Sequence, residues 1–137
     1  LPLVGFLLML SRDIKLVRGA EGAGARVYTE AAERLSTRSS VMLFPEGTRS
    51  ATGELGRFKD GAFKIAIEAQ APIVPLVVHG TRDALIKHDW RFGRCNATVR
   101  ILDPIPTAGM SLDDVAELRE QVRDLIAETK AELSSAA

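Results

Sequence analysis

Val41-Met42-Leu43-Phe44-Pro45-Glu46-Gly47-Thr48-Arg49-Ser50 is a run of four apolar residues that stops at a proline and gives way to polar residues and glycine. An apolar run this short, with no polar alternation, is the pattern of a strand covered on both faces, as in a parallel sheet between helices. In open α/β sheets, ligands gather beyond the carboxyl ends of the strands. A strand over 41–44 would therefore deliver Glu46 and Arg49 to the edge where binding takes place. The Arg49 fork suits a phosphate, which it can grip through two hydrogen bonds. Glu46 can accept from Arg49 or from a substrate hydroxyl, and Gly47 lets the backbone turn between them.

The residues that follow carry the same theme. Gly53, Gly56, Arg57, Lys59 and Gly61 lead into a helix predicted from Asp60 to about Gln70, with Asp60 as its cap and Phe63, Ile67 and Ala71 on one face. Basic side chains beside the amino end of a helix make a competent anion site. No G-x-x-x-x-G-K-[ST] and no G-x-G-x-x-G occurs, so the loop is neither a P-loop nor a dinucleotide fingerprint. Taken by themselves, Glu46 and Arg49 fit a surface ion pair, worth under about 1 kcal/mol, more readily than a phosphate site.

Further out, Pro72 ends the helix and Pro72-Ile73-Val74-Pro75-Leu76-Val77-Val78 reads as a second fully buried strand. Thr98 to Leu102 alternates as a strand, and Ser111 with Asp114 forms a capping box for a last helix. That helix carries Val115, Leu118, Val122, Leu125 and Ile126 on one stripe. Upstream, Asp13 to Arg18 alternates as a short strand, and a helix is expected over about Arg26 to Ser36. Strands alternating with helices, two of them wholly apolar, predict an α/β layered domain with a mostly parallel or mixed central sheet flanked by helices.

The chain has 137 residues, 46% of them hydrophobic and 26% charged, which fits one globular domain over 1–137. Eighteen basic residues balance eighteen acidic ones, so nothing global draws the chain to nucleic acid. The lone Cys95 excludes an intramolecular disulfide framework and is expected to be a small buried residue. The first ten residues are all apolar or glycine, a run too short to cross a bilayer, which takes about 20. No His/Cys/Asp cluster has metal-ligand spacing. The loop from Thr81 to Asn96 mixes Arg82, Lys87, Arg91 and Arg94 with Trp90 and Phe92, a composition suited either to an anionic membrane surface or to a solvated loop.

Phe44 to Ser50 resembles the F-P-E-G-T-R-S block of the glycerolipid acyltransferases, in particular the 1-acylglycerol-3-phosphate acyltransferases. Phe58-Lys59-Asp60-Gly61-Ala62-Phe63 resembles their F-K-x-G-A-F, and Ala71 to Leu76 their V-P-I-x-P-V, with Ala for the usual Val. Leu1 to Gly5 resembles their P-x-x-G-W/F stretch, and Arg18 falls where an arginine closes a short apolar strand. The resemblance implies a glycerol-3-phosphate acyltransferase-like fold. It implies transfer of a fatty acyl group from acyl-CoA or acyl carrier protein to lysophosphatidic acid, giving phosphatidic acid, with no cofactor. It also implies work at the cytoplasmic face of the cell membrane. It assigns Arg18 and Arg49 to the acceptor phosphate, Glu46 and Gly47 to the glycerol site with Thr48 beside them, Lys59 to a further phosphate contact and Pro75 to the substrate or acyl pocket.

The family's base is a His in an H-x-x-x-x-D pair, and these residues contain none. His79 is followed by Asp83, one position too close, and His88 has nothing acidic five positions on. The chain is thus expected to be truncated at its N-terminus, with the catalytic pair upstream of Leu1, and to be inactive alone. Acylation of glycerol 3-phosphate or another lysolipid, and a non-catalytic phosphate- or phospholipid-binding domain, are the alternatives.

Overall fold

The computed structural model describes residues 14, 23–48, 50, 52–81, 84 and 93–135. The chain divides into two compact units, 1–42 and 43–137. In the first, helix α1 (Ala23–Ser36) stops where Arg38 takes a left-handed φ of +60°. The Arg38 and Ser39 amides close the end on the carbonyls of Leu35 and Arg34, at 3.1 and 3.0 Å. Ala31 is the fully buried residue of this helix. The strand expected at 13–18 lies, apart from Ile14, outside the described residues.

The second unit is built on two helices and a ladder. Helix α2 (Gly61–Glu68) buries Phe63, Ile65, Ala66 and Ile67. Its carboxyl end is closed by side chains from a distant loop. Buried Thr107 donates its hydroxyl to the Ala66 and Ala71 carbonyls at 3.2 and 2.9 Å. Gln70, at φ +50°, gives its amide to the Ile67 carbonyl and takes the Gly109 N–H at 2.7 Å. These bonds satisfy carbonyls that a helix end otherwise leaves unpaired.

Strand β1 (Leu76–His79) pairs antiparallel with β2 (Thr98–Ile101), with Leu76 opposite Ile101 and Val78 opposite Val99. An isolated bridge between Ile73 and Ile105 extends the pairing. Between bridge and ladder one side runs three residues and the other four, so the 101–105 side carries a bulge. The helix-plus-sheet class is as expected, and the ladder among the described residues is antiparallel.

A single 3-10 turn (Leu112–Asp114) opens helix α3 (Val115–Ser135), and the predicted capping box is present. The Asp114 carboxylate accepts the Ser111 N–H at 2.7 Å. The stripe on α3 buries Val115, Leu118 and Val122 against Phe58, Phe63 and Ile67, with Leu55, Ile73, Ile105 and Ile126 around them. The Phe58 and Phe63 rings stack with centroids 6.4 Å apart. Each such buried aliphatic side chain contributes about 1.5–3 kcal/mol. This core seats the segment that leads from Glu46 into α2.

Three expectations need correction. The 41–44 run enters no ladder among the described residues, and Met42 and Phe44 are 68% and 78% exposed. A strand is buried by its neighbours, and a four-residue apolar run does not say whether they are there. The 72–78 run is not wholly buried either. Only Pro75 and Val77 are buried, because an antiparallel pair with a helix on one side leaves Leu76, Val78, Val99 and Ile101 on the other face. Cys95 is exposed, in the chain leading to β2.

Candidate active site

The motif residues fold into a loop from Pro45 to Asp60 that is tied back on itself. At its base the Lys59 N–H donates to the Pro45 carbonyl at 2.9 Å, and the Gly47 N–H donates to the Phe44 carbonyl at 3.0 Å. Inside it, the Glu46 carboxylate accepts the Gly56 N–H at 2.8 Å. Further along, Gly53 takes φ +84° and gives its N–H to the Ser50 hydroxyl at 3.0 Å.

Two glycines are needed where they stand. Gly47 has φ +67°, a region L side chains enter at a cost of about 1–2 kcal/mol. A Cβ there would also lie 2.9 Å from Lys59 Nζ and 3.1 Å from its Cε. The lysine therefore lies across bare backbone, with its ammonium directly over the turn after Glu46. Gly56 serves the other contact: a Cβ there would be 3.0 Å from the Glu46 oxygen that its own N–H holds. The loop thus holds a carboxylate on the Gly56 N–H and an ammonium over Gly47. An ammonium beside a fixed carboxylate can bind an anion while the carboxylate orients a neighbouring hydroxyl.

The predicted residues are placed unevenly. Glu46, Gly47 and Lys59 come together as described, and Thr48 is exposed beside them. Arg18 and Arg49 lie outside the described residues. Pro75 is buried in the approach to β1, and its carbonyl accepts the Leu102 N–H at 3.0 Å, so it contributes to the sheet through its backbone. His88 lies outside the described residues. His79 ends β1, with its Nε2 3.3 Å from the Ser134 hydroxyl of α3.

Asp60 departs from its expected role. It occupies the N-cap position of α2 but makes no capping hydrogen bond with its side chain. Its own backbone is already helical, and its carboxylate turns instead to the Arg119 guanidinium. That hydrogen bond, with a second that Arg119 Nε donates to the Glu120 carboxylate at 3.0 Å, raises the Arg119 pKa above its ordinary value. The Arg119 side chain is only 14% exposed. Arg119 and a second basic residue on α3, Lys130, whose ammonium donates to the Gly53 carbonyl, are contacts the sequence reading missed. The signal was available only as a spacing: the two lie eleven apart, on one face of the last helix.

Among the described residues no cluster of His, Cys, Asp and Glu could hold a metal ion. Among them, too, no helix is long and apolar enough to cross a membrane.

The family model described as Acyltransferase matches residues 1–79, which include the loop and end with β1. The human 1-acyl-sn-glycerol-3-phosphate acyltransferase alpha is 40% identical over 120 residues, covering 87% of this chain and 42% of that protein. The 1-acyl-sn-glycerol-3-phosphate acyltransferase of Saccharomyces cerevisiae is 35% identical over 135 residues, covering 96% and 45%. The crystal structure of the 1-acyl-sn-glycerophosphate (LPA) acyltransferase from Thermotoga maritima superposes with a TM-score of 0.80 at 27% identity, covering 96% of this chain and 51% of that one. The chain thus spans less than half the length of these curated relatives.

Proposed function

Because this chain belongs to the Acyltransferase family, we propose that it forms the acceptor-binding part of a 1-acylglycerol-3-phosphate acyltransferase. In the reaction, the free hydroxyl of a lysophosphatidate attacks the thioester carbon of acyl-CoA or acyl carrier protein. The C–S bond breaks, the new ester is phosphatidic acid, and the thiol leaves with the proton. An alcohol is a weak nucleophile near pH 7 and needs a general base. The resemblance assigns that task to a His/Asp pair, which these 137 residues do not contain.

The work of this chain is positioning. The acceptor phosphate is held by Arg18, Arg49 and Lys59, while Glu46, Gly47 and Thr48 shape the glycerol site. Fixing the phosphate sets where the hydroxyl stands, and a well-oriented pair of reactants can gain about 7–11 kcal/mol over free encounter. Pro75 reaches the substrate side only through the backbone it fixes. The acceptor is an amphiphile, and we place the complete protein at the cytoplasmic surface of the cell membrane, where the acyl thioesters are.

One observation carries this reading: within the stretch that resembles the family's acceptor block, the Lys59 ammonium lies over Gly47 while the Gly56 N–H holds the Glu46 carboxylate. The test is Arg49→Ala in the complete protein. KM for the lysophosphatidate should rise at least tenfold, the size of one lost charge-assisted contact, while KM for the acyl thioester stays within about twofold. Equal effects on both substrates would count against the assignment.

A further inference from the structure

Helix α3 begins 36 positions beyond the end of the family match. Yet it holds the acceptor loop at two points. Arg119 takes the Asp60 carboxylate, where the loop enters α2, and Lys130 gives its ammonium to the Gly53 carbonyl, midway along the loop. The eleven positions from Arg119 to Lys130 make three helical turns to within about 20°, so the two side chains leave one face about 16.5 Å apart. Between them, Leu55 and Phe58 pack into the core. The segment fixed this way presents the Gly56 N–H to Glu46 and the Lys59 side chain to Gly47.

We propose that Lys130 is a positioning residue for the acceptor site, setting the loop at Gly53 so that the Gly56 N–H meets Glu46 and the Lys59 side chain lies over Gly47. Lys130 is partly buried and its neighbours Thr129 and Leu133 are buried, so its stem runs along the protein and its charge is spent on one backbone carbonyl. A surface lysine ordinarily carries its ammonium to water. Gly53 is the place where the hold matters, because a glycine at a left-handed φ has no side chain of its own to fix it. The assignment rests on the acyltransferase reading for what the loop binds, and on the contacts alone for how the loop is held.

The experiment uses the complete protein with Lys130→Ala and Lys130→Arg, read by steady-state kinetics and by amide exchange at Gly53 to Gly56. For Lys130→Ala, acceptor KM should rise roughly fivefold to tenfold, in line with one hydrogen bond from a charged donor. The acyl-thioester KM should hold, and exchange at the Gly56 amide should quicken. Lys130→Arg, which can still reach a carbonyl, should restore both. An equal rise in both KM values, or a lowered melting temperature with acceptor KM unchanged, makes Lys130 a general packing residue and overturns the proposal. If the wild type acylates no lysophosphatidate, the functional reading fails and the exchange arm still decides: protection lost in Lys130→Ala and regained in Lys130→Arg upholds the hold on the loop, and unchanged protection ends it.

Discussion

Gly47→Ala perturbs the loop in two ways that the structure allows to be measured apart. The first is conformational: at φ +67° an alanine carries a backbone penalty of about 1–2 kcal/mol. The second is steric, since the new methyl would stand 2.9, 3.1 and 3.4 Å from Nζ, Cε and Cδ of Lys59. Lys59 is exposed and flexible, so it yields by changing rotamer, at about 0.5–1.5 kcal/mol or less. What it loses is position. For a phosphate about 4 Å from the ammonium, a retreat of about 1 Å weakens the attraction by about 0.8 kcal/mol at an effective dielectric near 20, roughly fourfold in affinity. The assay is a double-mutant cycle of Gly47→Ala and Lys59→Ala in the complete protein, with melting temperature and acceptor KM as its readouts. The stability loss, about 2–4 °C per kcal/mol for a domain of 150–250 residues, should be nearly the same with and without the lysine side chain. The acceptor effect of Gly47→Ala should vanish once Lys59 is truncated. If instead the stability loss vanishes in the Lys59→Ala background, the glycine is required by contact and not by backbone sign, and the reasoning is refuted.

Two other glycines give cleaner single tests. Gly80 and Gly109 share nearly the same φ, +83° and +82°, but a Cβ at Gly80 would lie 1.9 Å from the Asn96 carbonyl oxygen while Gly109 has nothing within 4 Å. Alanine at Gly109 should cost about 1–2 kcal/mol, and at Gly80 more than about 3 kcal/mol because only backbone movement relieves the clash; chemical denaturation of both variants checks the ordering. Gly56→Ala meets no positive φ, only the Glu46 oxygen at 3.0 Å. It should leave stability within about 1 kcal/mol of wild type and raise acceptor KM severalfold in steady-state assays, because the carboxylate has to move off the Gly56 N–H.

Much of this was legible in the residues. Helices α2 and α3 followed from apolar spacing, since their buried stripes are long enough for a 3.6-residue period to declare itself. The capping box announced itself because its two members satisfy each other locally. The strands were harder. Runs over 41–44 and 72–78 are too short to show a period, so their apolar content suggested burial on both faces. Their actual exposure depends on which elements lie beside them. Asp60 shows a different failure, because a good capping residue in sequence met a stronger partner, Arg119, 59 positions away. The glycines of the acceptor loop were noticed, but the reasons for Gly47 and Gly56 lie in Lys59 and Glu46, whose approach no spacing rule reveals. Lys130 was invisible for the same reason: a basic residue on a solvated helix face looks ordinary until the carbonyl it reaches is known.

The matched positions of Arg119 and Lys130 have a bearing on how this part of the chain can change over generations. Adding or deleting one residue between them turns the two side chains about 100° out of line, so one of the two points at which the acceptor loop is held loses its partner even though the helix itself remains intact. Length changes should therefore gather outside this stretch, while substitutions on its open face pass freely. The tail of the molecule would then be read not for its composition but for its count.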